Sequence, residues 1–174
     1  HARRLAAELD SLNLERREIE QGMQQEAMAA LSRLSLHTAQ LPPCLCLYQS
    51  DWHQGVIGIL AGRVKEAWHR PVLAFARGDD GELKGSARSV PGVHMRDLLE
   101  AVSTANPGLI KKFGGHAMAA GLTIAEQDFA VFEQALQQQA LRVINPEHLT
   151  AVVYSDGELT PAELDLSLAY ALAQ

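Results

Sequence analysis

A pair of glycines followed by a histidine forms the segment of this chain best suited to chemistry. Residues 113–121 read Phe-Gly-Gly-His-Ala-Met-Ala-Ala-Gly. Adjacent glycines can adopt positive φ angles and let another molecule approach the main chain closely, while the imidazole of His116 can donate or accept a hydrogen bond. The spacing alone fits a ligand site and a tight turn with a structural histidine about equally well.

A second candidate segment lies at residues 84–90, which read Lys-Gly-Ser-Ala-Arg-Ser-Val. Side chains alternate between the two faces of a strand, so Lys84, Ser86 and Arg88 project together while the residues between them keep the other face small. An ammonium, a hydroxyl and a guanidinium in one row suit a phosphodiester, because arginine presents a planar fork to two phosphate oxygens and serine adds a hydrogen bond. A solvated face with ordinary charges is the alternative.

The histidines do not follow the spacings of common zinc sites. The ones near the candidate segments are His53, His69, His94 and His116. They show neither an H-x-H nor an H-E-x-x-H pattern, so we expect no zinc site within this chain.

Composition indicates a globular protein of the cytoplasm. The two cysteines, Cys44 and Cys46, lie in one apolar run, and we expect a buried reduced pair rather than a disulfide. No apolar run approaches the roughly 18 to 20 residues that cross a bilayer, and the first residues lack a signal-peptide core. We therefore expect no membrane partner.

Charge is unevenly distributed along the chain. The net charge is −6, yet residues 61–121 carry +3 and residues 122–174 carry −7. A phosphate chain responds to the potential within about one Debye length, roughly 10 Å, so a basic middle remains compatible with binding DNA or RNA.

The surrounding pattern predicts a mixed α/β layer structure. Residues 2–35 carry a helical apolar stripe, which predicts one long helix that connects two domains; a coiled-coil dimerisation helix is the alternative. Further along, short apolar runs alternate with amphipathic segments. The predicted strands cover residues 45–48, 72–76, 82–90 and 117–124, and the predicted helices residues 95–102 and 129–143.

Another helix is predicted to follow residue 51. Asp51 and Gln54 have the spacing of a capping box, which would direct the N–H groups of residues 52–55 towards an anion. Trp52 could stack on a base, although a single tryptophan beside an apolar helix more often belongs to the core.

Four motifs together resemble the DHHA1 domain of the RecJ family of single-strand-specific DNA exonucleases. They lie at residues 52–59, 70–72, 84–89 and 113–121. The flanks agree with this resemblance, because residues 12–20 are similar to the connector helix of that family and residues 155–159 to the opening of its OB-type domain. The implied organisation is a connector helix at residues 1–38, a DHHA1 substrate-binding domain at 39–145 and the incomplete start of an OB-type domain at 146–174.

The resemblance implies the substrate-binding part of a 5′-to-3′ exonuclease that acts in DNA repair and recombination. Its partners would be single-stranded DNA and an N-terminal DHH domain that binds Mn²⁺ or Mg²⁺ for two-metal hydrolysis. This chain contains no Asp-His-His motif or similar acidic cluster. We therefore expect a fragment of a larger, monomeric protein that binds no metal itself and has no nuclease activity alone.

The resemblance also implies roles for individual residues. Ser86 and Arg88 would hold phosphate near the end of the strand, and His116 would stabilise charge in the transition state rather than bind a metal. For His53 and Gln54, capping and packing are the alternative to substrate contact. The whole predicted nucleic-acid and phosphate-binding set is Lys84, Ser86, Arg88, Ser89, Gly114, Gly115, His116, His53 and Gln54.

Other functions remain open. DHHA1 domains also occur in phosphoesterases that degrade oligoribonucleotides or cyclic dinucleotides, and in proteins similar to aminoacyl-tRNA synthetases. The long connector and the residues after 155 favour RecJ over these smaller enzymes. A non-catalytic module that dimerises through residues 2–35 is a different class of explanation.

Overall fold

The computed structural model describes residues 2–33, 41–79, 81–152, 155, 157–161 and 163–172. Its helices are α1 (Ala2–Arg33), α2 (Ile57–Trp68), α3 (Met95–Ala105), α4 (Phe129–Val143) and α5 (Leu166–Leu172). Its strands are β1 (Leu45–Tyr48), β2 (Val72–Arg77), β3 (Glu82–Arg88), β4 (Lys112–Gly115) and β5 (Ala119–Ala125). Within these ranges, no helix has the length and apolar character needed to cross a membrane.

The strands form one sheet in the order β1-β2-β3-β5-β4. β1 and β2 are parallel, whereas all other neighbours are antiparallel. The hairpin between β2 and β3 turns at Gly81, whose φ of 73° is in the left-handed region that glycine adopts without strain. The predicted mixed α/β fold is confirmed.

Both faces of the sheet carry a hydrophobic core. On one face, α3 and α4 cover Phe75 and Leu83, and the ring of Phe75 meets that of Phe132 edge to face at 5.6 Å. On the other face, α2 covers β2. Gly114 on β4 and Gly121 on β5, towards the other edge of the sheet, are exposed. The second face is therefore only partly covered, which leaves a surface beside α2.

The start of α2 differs from the prediction. The helix begins at Ile57, after an N-cap at Val56 that makes no side-chain capping bond, so the predicted capping box of Asp51 and Gln54 is wrong. The Gln54 side-chain amide instead donates to the carbonyl of Arg77 at 3.1 Å. The Gln54 side chain is thus held by the end of a strand rather than by the start of the helix. Trp52 is 5% exposed and belongs to the core, which excludes base stacking.

Helix α1 spans most of the predicted connector at residues 1–38, of which residue 1 and residues 34–38 lie outside the described part. Met23 is buried with the residues of α2. Glu20 accepts a hydrogen bond from Arg16 at 3.3 Å and forms an ion pair with Arg63 of α2 at 3.7 Å. These contacts anchor one part of the helix to the sheet domain, and its role as a connector stays a prediction.

The cysteines are free thiols, and burial raises the pKa of both. Cys44 is fully buried and Cys46 is half-buried. After α4, the described residues contain a 3-10 helix at Pro146–Leu149 and α5, but no strand. The OB-type assignment of residues 146–174 stays a prediction, and residue 156 of its motif lies outside the described residues.

Candidate nucleic-acid interface

The exposed sheet face beside α2 carries three rows of residues that run across the strands. Residues paired between neighbouring strands project from the same face, so strand register fixes the membership of each row. The rows are Arg88–Ala119, Ser86–Gly121–Gly114 and Lys84–Thr123–Lys112. We call this set the three-row surface; it brings together the predicted Lys84, Ser86, Arg88 and Gly114.

The middle row has a flat, open floor. A Cβ added at Gly114 would meet nothing within 4 Å, and one added at Gly121 would meet only the Gly85 carbonyl oxygen at 3.8 Å. Side chains at these two positions would therefore project into free space above the sheet. The cleft there has a volume of about 350 Å³ and is lined by Lys84, Lys112, Phe113, Gly114, Gly121, Leu122 and Thr123.

Helix α2 forms the wall of this surface through a glycine. A Cβ on Gly58 would lie 2.9 Å from Nη2 of Arg88, closer than real Cβ contacts, and 3.0 Å from Oγ of Ser86, which is tighter than most of them. The missing side chain lets the helix approach the arginine directly. The motif at residues 52–59 contains Gly58, but sequence reasoning assigned it no role.

The guanidinium of Arg88 is held in place without a carboxylate. Its Nη1 donates to Oγ of Ser86 at 3.1 Å and to the carbonyl of Ala87 at 2.9 Å. Among the described residues, no Asp or Glu forms an ion pair with Arg88. A half-buried, oriented and uncompensated guanidinium is suited to binding an anion.

Lys84, in contrast, already has an acidic partner. Its Nζ lies 2.6 Å from Oε2 of Glu82 and 3.4 Å from Oγ1 of Thr123. Glu82 also forms an ion pair with Lys111 at 3.2 Å, and hydrogen bonds from the two lysines lower the pKa of this carboxyl. The row that contains Lys84 is therefore less positive than its lysines alone would make it.

The hairpin between β4 and β5 positions His116. A Cβ at Gly115 would clash with the carbonyl oxygen of Ala119, and the φ of 148° at this residue also favours glycine. The N–H of His116 donates to the same carbonyl at 2.8 Å. Because Ala119 pairs with Arg88 in the sheet, the exposed histidine and the arginine lie at the same end of the sheet.

The imidazole of His116 makes a bond that selects its tautomer. Its Nδ1 accepts a hydrogen bond from the N–H of Met118 at 3.3 Å. A neutral ring must then carry its proton on Nε2, which is available to donate to a ligand.

Ser89 is a correction to the predicted site. The residue is 1% exposed, and its Oγ donates to the carbonyl of Val93 at 2.6 Å. Its hydroxyl is buried in a structural bond, so we remove Ser89 from the phosphate-binding set.

His53 and Gln54 lie at the entry to α2, outside the three-row surface. Nδ1 of His53 accepts from the N–H of Gly55 at 3.1 Å, and the residue shares a cavity with Leu12 and Ile19 of α1. The bond of Gln54 to the end of β2 agrees with its alternative packing role. Substrate contact by either residue stays a prediction.

The surface contains donors for an anion rather than ligands for a metal. In the described part of the chain, no three His, Cys, Asp or Glu side chains come together in a group that could hold a metal ion. Guanidinium, ammonium, hydroxyl and imidazole N–H groups can neutralise and orient phosphate oxygens. The residues present thus do not fit a divalent cation.

Comparison with known proteins identifies similar sequences along nearly the whole chain. A family model described as the DHHA1 domain matches residues 38–141. The chain is 52% identical over 171 residues, 98% of its length, to the single-stranded-DNA-specific exonuclease RecJ of Escherichia coli. It is 50% identical over 168 residues, 97% of its length, to the same enzyme of Haemophilus influenzae. The chain spans 30% and 29% of these two relatives.

Solved structures are similar as well. A crystal structure of exonuclease RecJ bound to manganese superposes with a TM-score of 0.70 at 29% identity, covering 86% of this chain and 35% of that one. The structure of RecJ in complex with Mg²⁺ from Thermus thermophilus gives a TM-score of 0.65 at 29% identity, covering 81% and 20%.

Proposed function

We propose, because this chain belongs to the DHHA1 domain family, that it is the substrate-binding part of an exonuclease specific for single-stranded DNA. The three-row surface would hold the sugar-phosphate backbone. Arg88 carries this proposal: its guanidinium is oriented by Ser86, lies against Gly58 and has no carboxylate partner among the described residues.

The residues of the three-row surface and His116 have different roles in this proposal. Arg88 and Ser86 hold the terminal phosphate, with the arginine fork on two oxygens and the serine hydroxyl on a third. The glycine floor lets the sugar-phosphate chain lie close to the sheet. His116 donates from Nε2 to a phosphate oxygen and stabilises the charge that develops there during cleavage.

The metal site belongs to another domain in this proposal. The two RecJ structures contain Mg²⁺ and Mn²⁺, whereas the residues described here do not fit such an ion. A DHH domain of the full-length protein would bind the metals, and the fragment alone would be inactive. Participation in DNA repair and recombination, 5′-to-3′ polarity, a monomeric state and a cytoplasmic location belong to the same proposal.

Binding by the full-length protein that contains this chain tests the assignment. We expect Arg88→Ala to raise the Kd for a 5′-phosphorylated, fluorescently labelled oligonucleotide by about ten- to a hundredfold in EDTA, since a hydrogen bond to a charged group contributes about 1.5 to 3 kcal/mol. The magnitude of the negative slope of log K against log salt should decrease by about 0.7, the value for one phosphate contact on a single strand.

Arg142→Ala provides a charge-matched control. This arginine is exposed near the end of α4, on the opposite side of the sheet, so its loss should change neither affinity nor salt slope. An Arg88→Ala protein that binds like the wild type would remove the three-row surface from the substrate site.

A further inference from the structure

We infer that Lys84, Thr123 and Lys112 form a second phosphate position, about two nucleotides from Arg88, and that Glu82 limits its affinity. This inference rests on the proposed function and extends it from one terminal phosphate to a track along the sheet. Its support comes from strand register, from the cleft and from the partners of each charged group.

The spacing along β3 matches a nucleic-acid strand. Lys84 and Arg88 are four residues apart on the same face, which corresponds to about 13 Å in a β-strand. An extended single strand covers this distance in about two nucleotides, because its phosphates are spread further apart than in a duplex. A strand that begins at Arg88 and runs along β3 therefore places a later phosphate beside Lys84.

The two lysines approach this position from both sides. Thr123 pairs with Lys84 on β3 and with Lys112 on β4, which sets the two lysine Cα atoms about 10 Å apart across β5. Both lysines line the cleft of about 350 Å³. Their flexible side chains can reach one phosphate between them, with Oγ1 of Thr123 beneath it.

Lys112 is the cation with the greatest freedom in this row. It is exposed, and in the described ranges no ion pair or hydrogen bond engages its ammonium group. The adjacent Lys111, by contrast, is paired with Glu82. Lys112 can therefore bind a phosphate without first losing another partner.

Glu82 competes with the phosphate for Lys84. Its carboxylate bridges Lys84 at 2.6 Å and Lys111 at 3.2 Å, so a phosphate that binds Lys84 must displace an existing anion or share the lysine with it. Removing the negative charge of Glu82 should therefore strengthen binding, whereas removing Lys112 should weaken it. The substitutions at Glu82 and Lys112 are therefore expected to change the affinity for DNA in opposite directions.

Affinity as a function of oligonucleotide length tests the inference in the full-length protein. The probes are a 5′-phosphorylated thymidine dinucleotide, measured by competition, and a labelled decamer, both in EDTA. We expect Lys112→Ala to weaken decamer binding about three- to tenfold and to reduce the magnitude of its salt slope by about 0.7. The affinity for the dinucleotide should stay unchanged. Glu82→Gln should strengthen decamer binding about two- to fivefold.

Arg88→Ala separates this inference from the proposed function, because it should weaken both probes. If Arg88→Ala changes neither, the proposed function fails. If Arg88→Ala weakens both while Lys112→Ala leaves the decamer unchanged, or weakens both lengths equally, only the second phosphate position is overturned. Unchanged or weaker decamer binding in Glu82→Gln overturns the competing role of Glu82. Arg142→Ala is again the control with an unchanged profile.

Discussion

Replacing Gly58 by alanine should damage the site while leaving the fold intact. The added Cβ would lie 2.9 Å from Nη2 of Arg88 and 3.0 Å from Oγ of Ser86. Ordinary contacts begin at 3.4 Å, so the guanidinium must move by at least about 0.5 Å. Because both crowded atoms are the ends of side chains rather than backbone atoms, the guanidinium and the serine hydroxyl move rather than the helix.

The expected loss follows from what holds the guanidinium. Its bond to Ser86 is already 3.1 Å long, and a displacement of this size misaligns both that bond and the fork that meets phosphate. We expect single-stranded DNA binding to weaken by about 1 to 2 kcal/mol, which is about 5- to 30-fold. Stability should change by less than about 0.5 kcal/mol, because Gly58 is in the first turn of α2 and the clash is relieved by a side chain.

Gly62 supplies a matched control in the same helix. A Cβ at Gly62 would meet nothing within 4 Å. Gly62→Ala should therefore raise the free energy of unfolding by up to about 1 kcal/mol through helix propensity and leave DNA affinity unchanged. The assay combines thermal unfolding of the full-length protein with titration of a labelled, 5′-phosphorylated oligonucleotide in EDTA.

Wild-type affinity in a folded Gly58→Ala protein would falsify the contact between α2 and the phosphate position. Equal losses of affinity in both alanine variants would also contradict it, because only one of them reaches Arg88. A Gly58→Ala protein that is strongly destabilised would show that the helix, and not the arginine, absorbs the clash.

Two other substitutions separate structural residues from those of the site. Ser89→Ala removes the buried bond to Val93 and should destabilise the protein by about 1 to 2 kcal/mol with unchanged DNA affinity. Ser86→Ala removes the hydroxyl beside Arg88 and should weaken DNA binding severalfold at unchanged stability. Unfolding and binding curves that show the reverse would contradict the placement of the two serines. The pKa of Glu126 is lowered, chiefly by the hydrogen bond from Arg77, so its contribution to stability is present above its unfolded-state pKa and lost as pH falls through the folded value. The difference in unfolding midpoint between wild type and Glu126→Gln should therefore shrink from pH 6 to pH 3, and a constant difference would show that the ion pair does not stabilise the fold.

The row of Lys84, Ser86 and Arg88 follows from the sequence because alternation of side chains is a property of any extended backbone. The same holds for α1 and α4, whose apolar periodicity predicted helices.

Non-local contacts decided the features that sequence reasoning missed. Residues 112–115 contain two exposed glycines, and their pairing with β5 makes them a strand that places Lys112 opposite Thr123. Ser89 adjoins the arginine in the motif, yet its bond to Val93 buries it. The predicted cap at Gln54 gave way to a bond with β2.

The amino-acid sequence by itself therefore determined which groups could meet a phosphate and which of them share a face of one strand. Only the tertiary structure decided that Gly58 of α2 forms the wall of the site and that glycines on β4 and β5 form its floor. The physical reason is range: side-chain alternation and helical periodicity depend on neighbours in the chain, whereas strand register and helix approach depend on residues distant in the chain that only the folded core brings together.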